Sequence, residues 1–351
     1  MIGSKFRCVM MMGALALALP VSAGCSKKDD PSKTDPTKKD DKADKSGKAA
    51  DKKGDDDGDS KEYAEGDLLK HVPKKCAMGR LYLNFAGLTD EPAIKKNVHK
   101  LDDKFAEAMK GQNGDKAKDV LKILTKAGID PAKDIREIAV CANGEDDVVV
   151  AVGGDFAGKD VLGALVKIAD KEGQTLKKKD ADGVSYLKGK DKMMLGQVTE
   201  TVFVASKDTD DFAALAKSED QSADWDVSKG RLLVMKGASK KSGLDSLLCE
   251  LTEKGDDLEL KVAAEFSGKA AQQLDAEDDP QAKIKQMIGQ AADKVEKSPA
   301  SALADDIRAI KVKIDGHKVT LSMKCSNKDL GSALSALTEA SEADLEKLGD
   351  N

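Results

Sequence analysis

Hydrophobic and polar positions follow different rhythms along this chain, and the change of rhythm divides it. From Val9 to Leu19 a near-continuous apolar run (VMMMGALALAL) ends at Pro20. From Ser26 to Glu62 apolar residues disappear apart from alanine. From Tyr63 onward they return with a period. Arg80 to Phe85 (RLYLNF) alternates as a half-buried strand does. Over Pro92–Lys110, residues Ile94, Val98, Leu101, Phe105 and Met109 share one helical stripe. Asp115 to Ala127 predicts a second helix, with Val120, Leu121 and Leu124 inward and Gly128 as its stop.

Further on, the pattern repeats. Asp134-Ile135-Arg136-Glu137-Ile138 opens one segment and Asp306-Ile307-Arg308-Ala309-Ile310 another. Each runs into a tight-turn pair, Asn143-Gly144 or Asp315-Gly316, then a second strand, a Lys-Asp pair and an Ala/Leu-rich helix. A partial copy lies between them, where Phe156-Ala157-Gly158-Lys159 matches Phe266-Ser267-Gly268-Lys269. Hairpin followed by helix predicts an α+β fold, an antiparallel sheet with helices packed on one face. The expected organisation is a leader over 1–24, a polar tether over 25–62, and two related halves, 63–225 and 226–351, meeting near Trp225. The helix Gln281–Val295 puts Ile284, Met287, Ile288, Ala291 and Val295 on one face flanked by lysines, a core stripe or the lining of an apolar pocket. Met193-Met194 fits the core or an adaptable contact surface.

The start of the chain reads as an export signal. Lys5 and Arg7 form a basic n-region ahead of the apolar run, which is too short to span ~30 Å of hydrocarbon. Two cleavage readings follow. Val21-Ser22-Ala23 has the small-x-small form of ordinary secretory cleavage, and Ser22-Ala23-Gly24-Cys25 resembles the lipobox of bacterial lipoproteins. That resemblance implies diacylation of Cys25, which becomes the mature N-terminus. With Ser26 after the cysteine, it also implies sorting to the outer membrane of a Gram-negative cell. Cysteine arithmetic favours this second reading: Cys8 leaves with the leader, and lipid on Cys25 leaves an even set, Cys76, Cys141, Cys249 and Cys325.

Those four can be placed on the strands. Cys76 precedes the first strand and Cys141 nearly ends the strand opening the first repeat, so antiparallel pairing brings them to one edge. Cys325 ends the last strand, with Cys249 in the same half. The expected bridges are therefore Cys76–Cys141 and Cys249–Cys325, against the two other connectivities or four buried thiols. No CxxC or His–Cys spacing suggests a metal.

Composition then narrows function. The 351 residues are 35% charged, yet 58 Lys and Arg against 64 Asp and Glu leave a net charge of -6, without the basic field that nucleic acids require. Aromatic content of 3% supplies few stacking platforms and disfavours an aromatic-lined catalytic cleft. The Lys/Asp-rich stretch 26–62 cannot bury enough surface to offset ordering entropy and reads as a disordered leash. Its Asp55-Asp56-Asp57-Gly58-Asp59 lacks the ligand spacing of a calcium loop.

One string approaches a nucleotide site. Gly153-Gly154-Asp155-Phe156-Ala157-Gly158-Lys159-Asp160 has the glycine and lysine spacing of a P-loop, but Asp160 stands where Ser or Thr would hold Mg²⁺. A structural corner explains it better. His71, His99 and His317 lie in separate polar stretches and read as surface histidines. No nucleophile elbow or zinc-protease spacing occurs. The expectation is a membrane-tethered envelope lipoprotein with a non-enzymatic binding domain, an envelope protein as its partner, and no cofactor. The alternative is a carrier of an apolar or lipid-like ligand between sheet and helices, and an enzyme of unrecognised type comes last.

Overall fold

The computed structural model describes residues 63–97 and 122–339, less 145–146, 172, 174, 182–183, 190–192, 208–211, 213–214, 216, 218–224, 226, 228–229 and 240–242. The leader, Cys25, the polar stretch 26–62, His99, and residues 98–110 and 115–121 of the two helices expected over Pro92–Lys110 and Asp115–Ala127 lie outside the described residues.

Strands β1 (Gly79–Asn84), β2 (Ile135–Ala142), β3 (Val148–Gly154), β4 (Lys177–Ala181), β5 (Val184–Lys188), β6 (Met193–Gln197) and β7 (Val202–Lys207) come first. Then come β8 (Arg231–Ser239), β9 (Leu244–Lys254), β10 (Asp257–Phe266), β11 (Lys311–Asp315) and β12 (Lys318–Ser326). They form one 12-stranded sheet in the order β11-β12-β10-β9-β8-β1-β2-β3-β7-β6-β5-β4. Every pairing is antiparallel, including β1 with β8, which carries the sheet across residue 225. Both edge strands, KKKDA in β4 and KVKID in β11, are dense in charge, which blunts edge-to-edge pairing with other chains.

The helices are α1 (Phe85–Asp90), α2 (Pro131–Asp134), α3 (Val161–Lys171), α4 (Gly268–Asp275), α5 (Pro280–Glu296), α6 (Ala304–Arg308) and α7 (Asn327–Glu339), with further helical residues at 92–97 and 122–126. The protein is an α+β protein with an antiparallel sheet. Helix α1 begins one residue earlier than alternation suggests: Phe85 belongs to it and not to β1, because the Asn84 side chain accepts the Gly87 N–H at 2.7 Å and caps the helix.

Period-2 alternation sends side chains of each strand to two faces. On one, Leu83, Ile138, Val150 and Phe203 pack under Leu88, Ile94, Leu124, Val161 and Leu165 from the helical segments. On the other, Tyr82, Ala139, Cys141, Ala151 and Val204 are covered by Leu68, Leu69 and Val72 of the 3₁₀ turn Asp67–His71, together with Phe212 and Trp225. Both faces are thus dry around β1–β3 and β7. The far half differs. Among the described residues from Leu244 onward, Leu258 and Leu334 are the buried members of these clusters, with Leu248, Leu251 and Leu330 packed against them.

Candidate functional site

The β2 sequence IREIAVCA places Glu137 in phase with Ala139 and Cys141, on a face that is entirely covered. Only 1% of Glu137 is exposed. Its row neighbours are Asn84 on β1 and Gly153 on β3. Burying a carboxylate without partners would be prohibitive, and three donors converge here. The Tyr63 hydroxyl and the Gly66 N–H (2.8 Å) donate to Oε2, and the Tyr82 hydroxyl donates to Oε1 at 2.5 Å. Burial pushes the Glu137 carboxyl above its ordinary value, against the lowering effect of those donors. Burial and the nearby Glu137 raise both phenols, so they remain protonated donors.

Glu137 also lines a cleft of about 340 Å³, together with Tyr63, Glu65, Asn84, Gly87, Arg136 and Asp155. Arg136 and Asp155 pair at 2.9 Å, and the Asn84 amide donates to Glu65 at 3.1 Å. A general base needs a free lone pair facing substrate. Here three of the carboxylate's acceptor positions are taken, by Tyr63, Gly66 and Tyr82. What the arrangement does is seat residues 63–66 on the sheet.

The P-loop-like string serves that seat. A Cβ on Gly153 would lie 2.2 Å from the Tyr63 hydroxyl oxygen, and one on Gly154 only 1.9 Å from the Asp134 carbonyl. Lys159 pairs with Asp134 at 2.5 Å, and Asp160 accepts the Gly163 N–H at 2.9 Å in the first turn of α3. Gly153, Gly154, Lys159 and Asp160 are thus engaged inside the fold, and Gly158 supplies the positive φ of the corner. Gly153→Ala should therefore unseat Tyr63 and lower stability by about 1–2 kcal/mol. In urea unfolding, adding Gly153→Ala to Tyr63→Ala, which removes the ring that a Cβ at 153 would meet, should then cost less than it does alone. A full additive cost would show that Gly153 acts elsewhere.

Cys76 and Cys141 form a disulfide across 65 residues of chain. The expected second bridge is corrected: Cys249 and Cys325 are free. Cys249 pairs with Val262 on β10, and Cys325 pairs with Leu258 on the other side of the same strand. An intervening strand and a four-residue offset put them about 16 Å apart, far beyond bridging distance. Burial pushes the Cys325 thiol up to about 12 and raises Cys249 as well, so both stay protonated.

His71 is also corrected, since it is buried at 3% exposure with Nδ1 2.9 Å from the Leu215 carbonyl. Burial lowers its pKa and keeps it neutral. His317 is on the surface beside Asp275, with Nε2 3.0 Å from Oδ2. Met194 is core at 6% exposure.

The second candidate surface is the half of the sheet from β8 to β11. Its cross-strand rows alternate cleanly. Leu251–Leu260–Met323 and Cys249–Val262–Leu321 lie on one face, and Thr252–Glu259–Lys324 and Glu250–Lys261–Ser322 on the other. On the polar face Arg231 meets Glu250 at 3.0 Å and Lys254 meets Glu259 at 3.5 Å, so charge cancels locally around a cavity of about 430 Å³. On the apolar face Leu247, Leu251, Leu260, Val262, Leu321 and Met323 are each only partly buried. Helix α5 meets the sheet at β11, and α6 and α7 meet it at β12. Ala292 of α5 is fully buried against α6 and the turn before it, whereas Met287, expected to face inward, is 62% exposed.

Fold and site together define an antiparallel α+β protein with a sealed, disulfide-tied half and a half-open apolar face. No known family matches the chain, and no curated protein does. Among solved structures, crystal form III of TP0453 aligns at 9% identity and a TM-score of 0.42 over 78% of this chain and 98% of that one. Crystal form I aligns at 9% and 0.40 over 78% and 98%. A likeness of that size bears on neither function nor partners.

Proposed function

We propose that the chain is an envelope lipoprotein, lipidated at Cys25 and tethered to the membrane through 26–62, whose sheet domain works by binding a partner and not by catalysis. The disulfide carries this reading: a Cys76–Cys141 bond fits an oxidising compartment, and the basic n-region, apolar run and Ala23-Gly24-Cys25 supply the route there. In this reading the acyl chains on Cys25 supply the attachment, at ~0.8 kcal/mol per buried CH₂. Binding is favoured over catalysis because the buried carboxyl of Glu137 is held by Tyr63, Tyr82 and the Gly66 N–H. Intact mass of the mature N-terminal peptide tests the anchor. The expected species begins at Cys25 and carries two or three acyl chains, and Cys25→Ser should move the protein from the membrane pellet to the soluble fraction. An unmodified residue 24 or 25 at the N-terminus refutes lipidation. In-situ cross-linking should return one reproducible envelope partner, and repeated failure counts against the binding role.

The partly buried apolar rows of β8–β12 favour a second reading, a carrier of an apolar or lipid-like ligand. Rows this apolar are normally covered, because each fully buried aliphatic side chain contributes ~1.5–3 kcal/mol.

A further inference from the structure

A cross-strand row that begins in the sealed half runs on across the open one. Tyr82 pairs with Val234, Val234 with Glu250, Glu250 with Lys261, Lys261 with Ser322 and Ser322 with Lys311. Tyr82 and Val234 are buried with Leu68, Leu69 and Val72, whereas Lys261 and Lys311 are exposed. The neighbouring rows of the same face add Lys324, beside Glu259, and Lys313, beside Thr320, both exposed. At ~3.4 Å per residue and ~4.8 Å between strands, the four lysines stand about 7–14 Å apart around Ser322.

None of the four holds an ion pair among the described residues. The carboxylates of the same rows are held by other cations, Glu250 by Arg231 at 3.0 Å and Glu259 by Lys254 at 3.5 Å. At the strand ends Asp315 and Glu265 flank Lys318, and Asp257 stands opposite Lys254. The helices pack on the other face, where Val312 lies beside Ile288 of α5 and Cys325 beside Asp306 of α6. Charge that cancels around β8 and β9 is therefore positive over β10, β11 and β12. Tyr63 is seated on this same face by Glu137, so the polar stretch 26–62 joins the domain on the face that carries the lysines.

We propose that this lysine face docks on an anionic phospholipid bilayer, with Lys261, Lys311, Lys313 and Lys324 against lipid phosphates. The inference goes beyond the lipid anchor, which it uses only to bring the bilayer near. Charge and layout select the occupant. Four cations spread over three adjacent strands fit a surface charged in two dimensions, whereas an extended acidic peptide would meet one line of them. The junction at Tyr63 turns the same face toward the membrane in the anchored protein. Each lysine close to an anionic surface is worth about fivefold in affinity.

The test uses the full-length chain with Cys25→Ser, so that no acyl chain contributes. It is sedimented with sucrose-loaded vesicles of phosphatidylcholine, alone or with about a third phosphatidylglycerol. Binding should require phosphatidylglycerol and fall steeply between about 0.05 and 0.5 M salt. Lys311→Gln/Lys313→Gln should weaken it about thirtyfold, and Lys261→Gln/Lys324→Gln about as much. All four positions are exposed, so circular dichroism of these variants should match the parent. Lys177→Gln/Lys179→Gln, which removes the same charge from the opposite edge strand β4, should bind like the parent. Equal binding to both vesicle types, or an equal loss in the β4 variant, overturns the assignment. So does a face that ignores vesicles and captures poly-glutamate with the same lysine dependence, which would make an acidic protein segment the partner. Absence of binding to either vesicle overturns it as well, and leaves the Cys25 anchor to be decided by the mass of the mature N-terminus.

Discussion

Replacing Glu137 with leucine is expected to lower unfolding free energy by about 3–5 kcal/mol, the cost of removing one side of a buried, charge-assisted cluster. The loss does not come from the charge itself, which burial disfavours. It comes from the donors left behind. Tyr82 is 1% exposed and its hydroxyl has no route to water, while Tyr63 and Gly66 can regain water only by lifting off the sheet. Urea unfolding checks it, and a change below about 1 kcal/mol would sink the account. The pH dependence separates charge from shape. Because burial raises the Glu137 pKa in the folded state, the folded protein binds the proton more tightly than the unfolded chain. This group's contribution therefore becomes more favourable as pH falls through the folded value, and is complete below the unfolded value of ~4.3. Relative to Glu137→Gln, which cannot titrate, the parent should gain stability as pH falls from neutral toward the unfolded value of ~4.3. A gain in the opposite direction would mean that the three donors outweigh desolvation.

What alternation could and could not reveal follows from the same strand. The strand character of residues 80–84 and 135–142 is local, so it was legible, and so was the antiparallel neighbourhood that brings Cys76 to Cys141. Glu137 was visible as a charge in phase with Ala139 and Cys141. Its partners were not, because Tyr63 lies 74 residues away and reaches it only through the space left by Gly153. The Cys249–Cys325 expectation failed for a related reason. Hairpin chemistry fixes which consecutive strands pair, but β10 stands between β9 and β12 by sheet order. His71 looked polar in sequence and is buried by a contact 144 residues away. The stripe on α5 had the correct period, yet a period does not say which side finds a partner.

Removing the disulfide with Cys76→Ala/Cys141→Ala should cost about 4 kcal/mol, the chain entropy released when a loop of 65 residues opens in the unfolded state. Reductant on the parent should reproduce most of that shift, since Cys249 and Cys325 have no bond to lose. An unchanged urea midpoint, with both thiols demonstrably reduced, would mean the bond does not limit the unfolded ensemble. Cys141 and Glu137 lie four positions apart on β2, about 13 Å, so the segment 63–76 is held to one strand at two points. The two restraints nevertheless act on opposite sides of the equilibrium. The disulfide raises the unfolded state, whereas the Glu137 cluster satisfies polar groups in the folded one. Their losses should therefore add, to about 7–9 kcal/mol, which is comparable with the whole stability of an ordinary domain at ~5–15 kcal/mol. The triple variant should populate unfolded chain without denaturant. A combined loss well short of the sum would place the disulfide's effect in the folded state instead, as a clamp holding residues 63–76 in place for Glu137.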